Sequence, residues 1–151
     1  MKEIRFDIQG EPVPASRPRV TQRGSFYPKK HTAYVQFLKT ELLKHPSLQI
    51  ENKLVEARLL FVMPPYKESL YPTSRCDLDN LSKLPIDCMT KSVETNEAGD
   101  VQFRYWKDDS LIAILLTMKT FARPGENPHT KVLIRVHEGD VDTIIRDRFL
   151  T

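Results

Sequence analysis

Cysteine is scarce in this chain: Cys76 and Cys88 are the only two in 151 residues. They are too few for a disulfide scaffold and lack metal-ligand spacing, so both read as reduced, small apolar residues of an intracellular protein. Long apolar runs are missing too. The longest, Leu111 to Leu116, is far too short to span a bilayer, and Met1 to Phe6 alternates charged with apolar residues, unlike a signal peptide. The expectation is a soluble, cytoplasmic protein without membrane contact. No repeat, low-complexity tract or linker divides the chain, which fits a single domain over residues 1–151, enough to bury about two thirds of its unfolded surface. Acids are absent from one interval. Between Glu11 and Glu41 there is none, while Arg17, Arg19, Arg23, Lys29, Lys30 and Lys39 all fall there. The net charge of only +3 does not mark a nucleic-acid binder, but this distribution fits either a solvated loop or a phosphate-binding surface.

Ile4, Phe6 and Ile8 alternate with polar residues and predict a strand. Gly10, Pro12, Pro14 and Pro18 then interrupt regular structure, so Arg17 to Ser25 reads as an ordered but irregular basic loop, with Phe26 and Tyr27 anchoring it to the sheet. Spacings of three and four through Tyr34, Phe37, Leu38, Glu41 and Leu42 predict a helix from Lys30 to about Lys44. Leu54 to Met63 predicts a strand with Glu56 and Arg58 on one side and Val55, Ala57, Leu59 and Phe61 on the other; Tyr66 to Ser74 reads as a surface loop. A second helix starts near Asp79, and Ser92 to Asp100 reads as a loop. Leu111 to Thr120 and Thr130 to His137 predict two strands, joined by a turn at residues 123–128 into an antiparallel hairpin. A short helix within Asp140 to Phe149 can follow. The expected fold class is α+β (mixed α/β), a small mixed sheet packed against two helices in strand-helix-strand-helix-strand-strand order.

The chemistry concentrates in Arg75 to Lys83, Arg-Cys-Asp-Leu-Asp-Asn-Leu-Ser-Lys, and in Asp108-Asp109 after Trp106-Lys107. Asp77 and Asp79 leave the same side of an extended segment, whereas Asp79, Lys83 and Asp87 share one face of a helix. Acids and a lysine thus converge where the helix begins. Two carboxylates ~4 Å apart repel by roughly 4 kcal/mol at an effective dielectric near 20, so a divalent cation is expected between them. Carboxylates and water suit magnesium; no cysteine–histidine cluster suggests zinc, and no organic cofactor is implied. Each element also has a plain reading. Acids at a helix start commonly cap free amides, and Lys83 can form an ordinary ion pair with Asp79 or Asp87. Of Asp108 and Asp109 only one readily faces the first pair, and the strand that follows is apolar on both faces, so alternation does not choose between them.

These segments together resemble the RusA family of Holliday-junction resolvases, often carried by phages and prophages. The resemblance covers nearly the whole chain and includes Gly10-Glu-Pro-Val-Pro14 and Arg17-Pro-Arg19 near its start. It implies a homodimeric, magnesium-dependent endonuclease, acting in a bacterial or phage-infected cell, that makes paired nicks in four-way DNA junctions. It further implies that Asp77, Asp79 and Asp109 hold the metal and that Lys83 is needed for cleavage. Lys83 can offset negative charge developing at phosphorus. The residues expected on DNA backbone are Arg17, Arg19, Arg23, Lys29, Lys30 and Arg75.

Two features depart from the family pattern. Pro85 should bend or delay the second helix, and Ser92 to Asp100 looks like an insertion. Phe103, Tyr105 and Trp106 read as core or dimer packing rather than base stacking, and His31, His45, His129 and His137 are given no catalytic role. A nucleotide-sugar glycosyltransferase would explain Asp-x-Asp but not the lysine or the basic segment. A DNA-binding module without catalysis would leave acids facing phosphate with no cation between them.

Overall fold

The computed structural model describes residues 2–65 and 76–150. The expected loop at 66–74 and Arg75 lie outside the described residues. In chain order the elements are β1 (Lys2–Gln9), β2 (Arg19–Thr21), β3 (Gly24–Phe26), α1 (Lys29–Leu42), β4 (Leu54–Met63), α2 (Leu78–Lys91), β5 (Val93–Thr95), β6 (Val101–Phe103), β7 (Ile112–Phe121), β8 (His129–His137) and α3 (Val141–Leu150), with a 3-10 turn at Asp109–Leu111. This is the expected α+β class. Among the described residues no helix is long and apolar enough to cross a membrane.

The main sheet has the order β1-β8-β4-β7. β8 lies antiparallel to both β1 and β4, and β7 runs parallel to β4 at the sheet edge. The expected β7–β8 hairpin is therefore incorrect. A turn signal shows that a chain reverses, not that the reversed strands pair: residues 122–128 are enough to step over β4, since next-nearest strands lie only about 10 Å apart. A parallel pair needs a crossover, and the one from β4 to β7 contains α2.

One sheet face carries Phe6, Ile8, Ala57, Leu59, Phe61, Val132, Ile134 and Val136, which join Tyr34, Leu38 and Leu42 of α1 and Leu81, Leu84 and Met89 of α2 in the core. Tyr105 and Trp106 are fully buried in it, as their packing reading required. The Tyr105 hydroxyl donates to the Leu42 carbonyl and burial raises its pKa to about 12. α2 runs through Pro85 without interruption, and Pro85 is buried in it. The helix is thus not delayed.

Two expected loops are hairpins. Arg19–Thr21 pairs with Gly24–Phe26 across a turn at residues 22–23, and Gly24, which resumes the strand after it, takes φ 120°, a value glycine adopts without strain. Val93–Thr95 pairs with Val101–Phe103, the turn held by the Asn96 side chain accepting from the Asp100 amide. Phe26 and Tyr27 do not anchor the basic segment to the sheet; both are about half-exposed, and Tyr27 stacks on His31 with ring centroids 4.2 Å apart.

On the other sheet face Glu56 is fully buried. Arg58, Arg135 and Arg148 surround its carboxylate, and His137 Nε2 lies 3.1 Å from it. Arg148 thereby ties α3 to the sheet. Burial alone would raise the Glu56 pKa, but bonds from Arg58 and His137 outweigh it and hold the group below its ordinary value.

Candidate nuclease site

Asp77 is the N-cap of α2. Its carboxylate accepts from the Asn80 amide at 3.0 Å, satisfying one of the helix's free donors, so the capping reading holds for this residue. The extended stretch expected through Asp79 ends at Asp77, because the helix already starts at Leu78. Asp79 lies exposed in its first turn, where the helix dipole favours a negative charge. Lys83 is exposed one turn on and forms no ion pair with Asp79 or Asp87 among the described residues, so the ordinary i,i+4 reading is not realised. It lines a cleft of about 280 Å³ between α1 and α2 with His31, Lys39, Asp87 and Lys91. His31 is buried there, and burial, with a smaller effect of Lys83, lowers its pKa.

Sequence reasoning missed Lys119. From β7 its Nζ donates to the Cys76 carbonyl at 2.6 Å, fixing the backbone just before Asp77. Burial pushes the Cys76 thiol up, and the nearby cations Lys119 and Lys30 pull it back. Lys30 thus sits close to the start of α2. A charged residue in an otherwise uncharged, largely apolar strand was the available signal.

The basic segment is stitched to the same place. The Ala15 amide donates to the Asn80 carbonyl at 2.8 Å and the Ser16 amide to His31 Nδ1 at 3.0 Å, so the chain leaves the start of α2 directly into Arg17 and the β2–β3 hairpin. Arg17, Arg19, Arg23, Lys29 and Lys30 are all exposed, and among the described residues none forms an ion pair. α1 opens with Lys29 and Lys30, has no acid in its first turn and has no side-chain cap. Two cations at the positive end of a helix dipole are locally unfavourable and become favourable once an anion binds there.

Asp108 and Asp109 lie elsewhere. Asp108 caps the 3-10 turn, its carboxylate accepting from the Ser110 amide at 2.8 Å, and that bond holds its pKa below the ordinary value. Asp109 is the exposed first residue of the turn. The preceding chain is pinned to the far end of α2: Trp106 Nε1 donates to Thr90 Oγ1 at 2.8 Å, and the Arg104 amide donates to the Ser92 carbonyl at 2.9 Å. Asp77 and Asp79 therefore stand at one end of a 14-residue helix and Asp109 beside the other, about 20 Å away. Magnesium needs ligand oxygens at ~2.1 Å. Among the described residues no three of His, Cys, Asp or Glu gather into a group that could hold a metal ion, so the described residues of one chain do not by themselves fit the ion.

An acidic helix start joined to an exposed basic hairpin, on an α+β sheet, defines an endonuclease that acts on DNA when set beside one comparison: the family profile described as Endodeoxyribonuclease RusA matches residues 9–135. The chain belongs to the RusA endodeoxyribonuclease family, whose members are junction-resolving nucleases. No curated protein matched the chain.

Proposed function

We propose that the chain is a magnesium-dependent, structure-selective endonuclease that resolves four-way DNA junctions by paired, symmetric nicks. In this reading residues 1–151 form one nuclease domain and the protein acts as a homodimer in a bacterial or phage-infected cell. Two symmetric incisions need two equivalent sites, which a closed two-fold arrangement supplies. The supporting observation is the Ala15–Asn80 backbone bond, which holds the acid-free basic segment against the turn bearing Asp77 and Asp79. DNA gripped by Arg17, Arg19, Arg23, Lys29, Lys30 and Arg75 would then pass the acids and Lys83.

Asp77, Asp79 and Asp109 are the proposed metal-binding acids. Since one chain does not gather them, what a single chain supplies is backbone binding and charge compensation. Lys83, exposed and unpaired among the described residues, offsets the charge that grows on the phosphodiester oxygens as the bond to be cut lengthens. Such a contact raises the rate more than the affinity.

A labelled four-way junction and a linear duplex of the same sequence, each incubated with magnesium or with EDTA, test this. Wild-type protein should cut only the junction and only with magnesium, while Asp79→Asn binds without cutting. Cutting of duplex as readily as junction, or normal cutting by Asp79→Asn, would contradict the reading. The separation of the acids within one chain favours, as a second reading, a DNA-binding module without catalysis. Wild-type protein that bound the junction and never cut it would establish that alternative.

A further inference from the structure

Two successive residues clamp the start of the basic segment. The Ala15 amide donates to the Asn80 carbonyl of α2 and the Ser16 amide to Nδ1 of His31 in α1, so one dipeptide bridges both helices immediately before Arg17. The second bond dictates a protonation state. A ring nitrogen that accepts from an amide carries no hydrogen of its own, so His31 is the neutral tautomer with its proton on Nε2. Its surroundings favour that form. The imidazole is only 8 % accessible, and the Tyr27 ring is stacked on it at an interplanar angle of 12°. The cleft that His31 lines carries Lys39 from α1 and Lys83, Asp87, Cys88 and Lys91 from α2. Burial chiefly, and Lys83 after it, hold the His31 pKa below its ordinary value.

We propose that His31 is a positioning residue for DNA binding: as a neutral acceptor it locks the basic segment in place, and its protonation releases the lock. An imidazolium would set Nδ1–H against the Ser16 N–H and leave that part-buried amide without its partner. Of the two clamps only Ala15–Asn80 would remain. DNA would then have to order Arg17 and the β2–β3 hairpin as it binds, at a cost in affinity. The direction is diagnostic. Acid ordinarily tightens DNA binding, because added positive charge attracts phosphate, whereas release of the segment weakens it. The bond is present above the lowered His31 pKa and lost as pH falls through it, so the change lies below about 6.5. For its effect on DNA the inference rests on the nuclease reading; for the bond itself it does not.

Two substitutions separate an acceptor from a packing residue. In His31→Asn the side-chain oxygen takes the place of Nδ1 and accepts from Ser16 but does not titrate, whereas His31→Leu fills the buried volume and accepts nothing. Long-range ¹H–¹⁵N spectra of wild-type protein at pH 7.5 should show His31 protonated on Nε2 and bare on Nδ1. Trypsin at the same pH, without DNA, should cut after Arg19 and Arg23 slowly in wild-type protein and in His31→Asn, and faster in His31→Leu. Junction binding in EDTA, where circular dichroism reports the native fold, should weaken about fivefold in wild-type protein between pH 7.5 and 5.0. It should not weaken with acid in His31→Asn, and it should already be weak at pH 7.5 in His31→Leu. A proton on Nδ1 at pH 7.5, wild-type binding that holds or tightens at pH 5.0, or a His31→Leu variant that resists trypsin and binds like wild-type would overturn the proposal. A bare Nδ1 and slow digestion in a wild-type protein that binds no junction at either pH would count against the nuclease reading alone.

Discussion

Adjacent carboxylates do different work in this chain. Asp108 is engaged in capping the 3-10 turn, whereas Asp109 begins that turn with its carboxylate exposed. Asp109→Asn should abolish magnesium-dependent cleavage while leaving junction binding equal or tighter, because it removes negative charge near phosphate. Asp108→Asn should do much less, since asparagine caps a helix start about as well as aspartate. Cleavage and binding assays on both variants check this; an inactive Asp108→Asn beside an active Asp109→Asn would reverse the assignment. The fully buried Glu56 gives a structural counterpart. Glu56→Ala strands Arg58, Arg135 and Arg148 around a vacated site and should cost about 3 kcal/mol in urea unfolding, whereas Arg148→Ala, whose side chain is 42 % accessible, should cost at most about 1 kcal/mol. Equal effects would show that the carboxylate is not the centre of the cluster. Burial chiefly lowers the pKa values of His31 and His45. Between those depressed values and about 6.5 the unfolded chain binds more protons, so stability should fall as pH drops below about 6.5. Glu56, depressed in the folded state, adds a further loss below the ordinary carboxylate range. Urea midpoints at pH 7.5 and 5.5 measure the histidine part, and no difference between them would refute it.

At the level of elements, what periodicity encodes was legible and what pairing decides was not. The alternation in β1, the three-and-four spacing in α1 and the apolar run of β4 located those elements to within a residue or two. The neighbours of β7 could not be read because its apolar residues fall on both faces, and the turn before β8 fits a hairpin and a step across β4 equally well. The β2–β3 hairpin was hidden by prolines and by a lack of buried side chains: all its residues are exposed, so no core pattern marks it. That exposure leaves its cations available. Replacing Arg17, Arg19 and Arg23 together with alanine should weaken junction binding and flatten its salt dependence by roughly one unit of slope for each phosphate no longer neutralised. An unchanged slope would remove the hairpin from the DNA surface.

For the whole molecule, the residue types of the candidate site were legible in the sequence and their arrangement was not. Asp77, Asp79 and Lys83 follow one another within the first turns of α2, so their nearness needs only helix geometry. Asp109 depends on the direction of α2 across the sheet, which is set by Lys119 reaching Cys76 at one end and Trp106 reaching Thr90 at the other. Those bonds span long stretches of chain and leave no local signature. Resolution of a junction requires both strands to be cut within one encounter, and a supercoiled plasmid carrying an extruded cruciform reads this directly. Two symmetric cuts across the junction give a linear product, whereas a single cut gives a nicked circle. With magnesium, wild-type protein should convert the plasmid straight to the linear form; only nicked circles, or no product, would contradict paired resolution by this chain.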